Sequence, residues 1–195
     1  HTLTMSGDND KNNYRISADY RDAKGIDLRA EREEYGARAS VMHTSKGGLF
    51  TFTANVAPRI IYRDNADWSV FKDAIEANPT TPMMDPENPA RYYNFMGQVV
   101  GSNPVERQKL EQDHADTKLL DWDATVKLNL LPLLAKEGKS NHRLTTQLMF
   151  ADHQYSNNNT WFRPSTSTIA INNGREGEAS RSYSKERQQI MEWLT

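Results

Sequence analysis

The chain has 195 residues, 36% of them hydrophobic and 26% charged, with a mean hydropathy of -0.83. That length allows one sizeable core, yet the apolar share falls below the roughly 45–50% of an ordinary globular domain. A formal net charge of -2 and a pI near 6.2 lack the basic footprint of a nucleic-acid binder, and the absence of cysteine excludes disulfide frameworks and thiolate metal sites.

In chain order, HTLTMSG (1–7) reads as the end of a strand, followed by the polar turn DNDKN. In NYRISADYRDA, Tyr14, Ile16, Ala18 and Tyr20 alternate with Arg15, Ser17 and Asp19. This period of two points successive strand side chains to opposite faces. Gly25, in KGIDLRAERE, suits a turn that needs a positive φ. EYGARASVMHTS places Tyr35, Ala37, Ala39 and Val41 on one face, and KGG at 46–48 is a hairpin signal. LFTFTANVAPRIIYR then carries Phe50, Phe52, Ala54 and Val56 on one side. Its Pro58 has no N–H to donate, which marks a bulge, an edge or the strand's departure from the sheet.

From Arg63 to about Asp116 the alternation lapses. DWSVFKDAIEA (67–77) has Trp68, Phe71, Ala74 and Ile75 at helical spacing, and NPVERQKLEQDH (103–114) is a second helix candidate. Between them Pro79, Pro82, Pro86 and Pro89 force irregular backbone. LDWDATVKLNLLP (120–132) restores the alternation, inside a strand expected at 117–131. Trp122, Ala124, Val126, Leu128 and Leu130 take one side, and Asp121, Asp123, Thr125, Lys127 and Asn129 the other. A short polar connection, LLAKEGKSN, leads to HRLTTQLMFADHQ, with Leu144, Thr146, Leu148 and Phe150 on one face. A polar stretch over about 153–182 precedes a last segment at 183–195.

Connections thus alternate between short (after 7, at 46–48, at 132–141) and long (63–116, 153–182), with a medium one after 22. Outer-membrane barrels have short turns at one end and longer loops at the other. Their strands need about 9–11 residues, which 13–23, 49–62, 119–131 and 142–152 provide. Only one face of each strand must be apolar, so low overall hydropathy is no obstacle. A soluble antiparallel sheet alternates in the same way, but long structureless connections are uncommon in one. No apolar run reaches about 18 residues and no signal peptide is recognisable. Starting at His1 and ending in the still-patterned MEWLT, the chain is expected to be a fragment of something longer.

Catalytic patterns are weak. The five histidines (1, 43, 114, 142, 153) form no pair four residues apart. DHAD (113–116) sets two carboxylates beside a histidine, which reads more simply as a solvated loop. EGKS (137–140) lacks the earlier glycine of a phosphate-binding loop, Leu133 standing in its place. Asp8, Asp10 and Asn12 have calcium-loop spacing, but Asn13 and Asp19 occupy the positions that need Gly and Glu. No catalytic residue, metal or cofactor is expected. Binding chemistry has better candidates: Tyr92, Tyr93 and Phe95 in one long connection, and Trp161, Phe162 and Arg163 in the next. Their rings suit sugar faces or interfaces; the plainer reading packs loops on one another. Tyr14, Tyr20, Trp122 and Trp193 are candidates for an aromatic girdle at a lipid–water boundary.

HTLTMSGDNDKNNYRISADYRDAKGI resembles the early barrel region of the SusC/RagA family of TonB-dependent outer-membrane transporters, the match being carried by Ser6, Gly7, Tyr14, Tyr20, Gly25 and Ile26. EYGARASVMHTSKGGLFTFTANVAPR, NPTTPMMDPEN and WFRPSTSTIAINNGREGEASRSYSK are similar to members of it too, so the likeness spans essentially the whole chain. Asp8 departs from it, many relatives having a second glycine there. The resemblance implies an all-β fold, with residues 1–195 supplying about seven antiparallel strands of a 22-stranded transmembrane barrel and long extracellular loops carrying short helices. The plug domain and TonB box are not in this chain. It further implies the outer membrane of a Gram-negative, Bacteroidota-type bacterium and uptake of large nutrients, glycans or peptides. The implied partners are a SusD-like surface lipoprotein, the TonB complex through parts absent here, and outer-membrane lipid, with no nucleic acid. On this reading Trp122, Ala124, Val126, Leu128 and Leu130 face lipid, while Asp121, Asp123, Lys127 and Asn129 line a wet lumen. The alternative is a soluble, secreted β-sandwich that binds carbohydrate through the loop aromatics; a β-scaffold hydrolase is more distant, since no carboxylate pair stands out.

Overall fold

Each alternating segment pairs with the next in the chain. The computed structural model describes residues 1–65, 67–130 and 144–195. These form a seven-stranded antiparallel open sheet in sequence order: β1 (Thr2–Asp8), β2 (Asn12–Lys24), β3 (Glu31–Thr44), β4 (Phe50–Asp64), β5 (Gln112–Asn129), β6 (Thr145–Pro164) and β7 (Gly177–Leu194). Among the described residues three short α-helices sit in the connections: α1 (Trp68–Glu76) and α2 (Pro104–Leu110) between β4 and β5, and α3 (Thr168–Asn172) between β6 and β7. The connections 25–30, 65–111 and 165–176 leave one end of the sheet, while the tight turns at 9–11 and 45–49 and the connection over 130–144 leave the other.

Register carries the alternation of single strands across the sheet. Tyr14, Val41, Ala54, Ala124, Phe150 and Met191 lie in one row, and Met5, Ile16, Ala39, Val56 and Trp122 in another. All these point to the same face, because directly opposed residues share a face. The other face carries Arg15, Ser40, Asn55 and Asp123 in one row and Arg38, Asp121 and His153 nearby. Slipping one strand by one residue would put its apolar set among these polar groups, so the register is strongly specified.

Local chemistry explains the ends. Asn9 Oδ1 accepts from the Lys11 and Asn12 N–H groups at 3.0 and 2.8 Å, closing the β1–β2 turn. Gly47 and Gly48, with φ of +81° and +69°, turn β3 into β4. Gly25 corrects the expectation: it is absent from the positive-φ glycines. Instead its N–H meets the Ala30 carbonyl at 2.6 Å, and an added Cβ would lie 2.6 Å from the Ala30 Cβ. Close approach, not handedness, calls for glycine there. Pro58 also differs from expectation, sitting inside the central strand β4. The β3–β4 ladder skips from Gly36–Arg59 to Ala39–Val56, and β4 continues to Asp64 without a change of register.

The packed core is not in the sheet. Val70, Phe95, Val100 and Ala170 are buried in the long connections, and Ala115 lies at the adjoining end of β5. On the apolar sheet face, by contrast, Ile16, Val41 and Leu148 are 46%, 41% and 50% exposed. No described segment covers that face.

Candidate functional site

The exposed apolar face is a band that runs obliquely to the rows of paired residues. Tyr20 begins the unbroken apolar run on β2, in the row of Tyr35, Ile60, Lys118, Ser156 and Lys185. Across five strand-to-strand steps the corresponding edge on β7 has dropped to Met191, six residues beyond Lys185. At about 3.3 Å per residue and about 4.8 Å between strands, the edge slopes at about 40°. The opposite edge shifts in the same sense: β2 ends its run at Tyr14, in the row of Ala124, while β5 continues to Leu128. Trp122, Ala124, Val126 and Leu128 all belong to the band. Leu130 lies just past β5, its N–H bonded to the Leu144 carbonyl at 2.8 Å.

Aromatic rings collect along the band's upper edge. Tyr20 and Tyr35 pack at 5.0 Å between centroids, Tyr35 and Tyr62 at 6.3 Å. Trp122 packs on Phe150 at 5.2 Å and donates its indole N–H to Asp152 at 3.3 Å. Trp193 donates to Thr146 Oγ1 at 2.6 Å towards the tight-turn end, and Tyr14 lies over Gly7, where an added Cβ would come within 2.7 Å of two ring carbons and the hydroxyl oxygen. Tyr35 and Tyr62 had the signal of closing alternating runs, but their neighbourhood depends on register.

The long connections fold into one polar-stitched unit. Asn103, fully buried, accepts from the Val105 and Glu106 N–H groups at the start of α2 and donates to the Met83 and Tyr93 carbonyls at 2.8 and 3.3 Å. Pro104 at the first helical turn wastes no N–H. Arg107 of α2 pairs with Asp67, the cap of α1, and with Asp73 at 2.7 Å. Glu106, also buried, accepts from the Thr168 N–H at 2.5 Å and from its hydroxyl, joining the 165–176 connection to the 65–111 one.

This unit decides the fate of the aromatic binding candidates. Phe95 is fully buried, edge-on to Tyr93 at 6.1 Å, and so presents no ring face to a ligand. Tyr92 forms a bridge with Met84. Both tyrosines are half-buried. Trp161, Phe162 and Arg163 are not in a connection at all. β6 extends to Pro164 and β7 starts at Gly177, because ladders on both sides carry the polar residues of 153–164 beyond what their strand propensity supports. Phe162 lies on the band's face, 43% exposed, and Trp161 on the other. Arg163 stacks over the Trp161 ring at 4.8 Å while pairing with Glu111 at 2.7 Å and Glu178 at 2.5 Å. The two triplets therefore do not converge on one site.

The polar face holds a groove of about 960 Å³, lined among others by Asp19, Arg38, Arg59, Glu34 and Asp121. Glu34, buried, takes Arg59 at 2.7 Å and Arg32 at 2.9 Å. Asp121 pairs with His153, and Asp123 accepts from Asn55 at 2.9 Å. Glu34 and Asp123 are thus taken up by neighbouring side chains. His114, in the stretch of β5 that stands clear of the band, is bracketed by Asp64 at 2.7 Å and Asp116 at 2.8 Å. The Asp64 hydrogen bond, aided by Asp116 and opposed by partial burial, holds its pKa above the usual histidine value. Among the described residues no group of three or more histidines and carboxylates is set to hold a metal. The EGKS segment (137–140) lies outside the described residues. Neither the protein-family models nor the curated proteins compared with the chain match it.

Proposed function

We propose that the chain is part of the wall of a large transmembrane β-barrel, in a TonB-dependent outer-membrane transporter of the SusC/RagA type that imports large nutrients such as glycans or peptides. The observation that carries this reading is the oblique band. A membrane lies perpendicular to a barrel's axis, while barrel strands tilt by about 35–45°, so the lipid-facing zone must cut across the rows at that angle. The slope of about 40° matches. On β4 the band runs from Phe50 to Ile60, ten residue steps, or about 25 Å of height at that tilt, near the usual thickness of an outer-membrane apolar zone.

On this reading Trp122, Ala124, Val126, Leu128 and Leu130 touch lipid, the tyrosine row lies at the interface, and the Asp121–Asp123 face lines a polar lumen. The stitched unit of 65–111 and 165–176 stands at the outer mouth. Its exposed Trp68, Ile75 and Val99 supply apolar surface for a lid partner of the SusD kind. The plug, the TonB-contacting segment and the remaining strands are contributed by sequence outside this chain.

The test is made on the full-length gene product. Cell fractionation and gel migration with and without boiling are expected to give a large outer-membrane species that migrates differently when unboiled. A soluble product that needs no detergent would overturn the reading in favour of a sandwich whose apolar faces pack together.

A further inference from the structure

Beyond the upper edge of the band, the outward face divides by charge. On β2 and β3 the positions past Tyr20 and Tyr35 are Asp22, Glu33 and Glu31, with Lys24 already paired to Glu31 at 2.6 Å. On β5–β7 the sign reverses. Lys118 and Lys185 flank Ser156 in a single row, both exposed, and Arg187 lies one outward position nearer the band, opposite Gln154 and Leu120. The same face of these three strands carries two carboxylates, and each is occupied: Asp116 by His114 at 2.8 Å, and Asp152, with no exposed side chain, by Arg187 at 2.8 Å. Lys118 and Lys185 stand two strand spacings apart, about 10 Å, and their flexible four-carbon stems allow both ammonium groups to reach one anion above Ser156.

We propose that Lys118 and Lys185 hold the phosphate-monoester headgroup of a membrane lipid whose acyl chains lie along Leu120, Trp122 and Phe150. The inference rests on the barrel-wall reading. The placement favours a lipid over a free anion. Lys118 is one outward step, about 7 Å, above Leu120, so a headgroup held there keeps its tails against the apolar band, where a free phosphate gains nothing. The acidic β2–β3 sector repels the same headgroup, which confines the site to the β5–β7 side of the wall.

The experiment uses the full-length protein, purified in detergent and first checked for heat-modifiable migration. Native mass spectrometry then counts bound phosphatidic acid against phosphatidylcholine for the wild type, the double variant Lys118→Gln/Lys185→Gln, and Lys127→Gln on the opposite face. Wild type and Lys127→Gln are expected to prefer phosphatidic acid, and the double variant to lose about 25-fold in its apparent affinity. Excess inorganic phosphate is expected to leave lipid binding in place. A folded, heat-modifiable wild type without this preference, or a folded double variant that keeps it, would overturn the lipid site while leaving the barrel standing. Full displacement by inorganic phosphate would make this a free-anion site and overturn the lipid assignment. A protein that is soluble without detergent would overturn both.

Discussion

Asn103 does at one residue what the long connection needs as a whole. Its side chain caps α2 and ties down two carbonyls from the proline-rich stretch, all inside a fully buried position. Asn103→Ala removes the cap and leaves the Met83 and Tyr93 carbonyls without this donor, at a cost of about 2–3 kcal/mol to the loop unit. Limited proteolysis of the full-length protein should cut within 78–103 faster in the variant, with migration of the unboiled barrel unchanged; equal cutting rates would show that the cap is dispensable. Such residues are hard to read from sequence. Asn103 and Glu106 look like surface positions by type, and only the fold buries them. Phe95 misleads in the opposite direction, an aromatic in a loop that reads as a binding group and serves as core.

At the scale of the element, alternation was the reliable signal, because one face per strand is a local property. It marked β2, β3, β4 and β5 to within a few residues, apart from the start of β5, which lies at Gln112 and not 117. It failed on the upper half of β6, where Asn157, Asn158 and Asn159 are poor strand formers held by partners on both sides. The two faces of β5 give the sharpest contrast. Val126, 38% exposed on the band, and Thr125, opposite Thr53 and Met149 on the polar face, are sequence neighbours on opposite faces. Val126→Arg should cost about 2–4 kcal/mol near the bilayer midplane and lower the heat-modifiable fraction of the full-length protein, while Thr125→Arg assembles normally. Equal assembly of the two variants would refute the face assignment.

For the molecule as a whole, the decisive property is that its sheet is open. Among the described residues β1 and β7 each pair on one side only, which leaves two unsatisfied edges beside an uncovered apolar face. Expressed by itself, the 195-residue segment should scatter light as large particles in buffer and disperse only in detergent; a monodisperse 22.3 kDa species in plain buffer would contradict this. No single-strand pattern reveals the openness or the slope of the band, since both arise from register between strands. In the proposed barrel the slope would also set an aperture. Strands about 4.8 Å apart and leaning at about 40° each occupy about 6.3 Å of rim, so seven subtend about 44 Å of circumference. Drawn round to the twenty-two strands that the family resemblance implies, the same arc closes a bore about 44 Å across between strand axes, wide enough for a plug to be needed against free leakage.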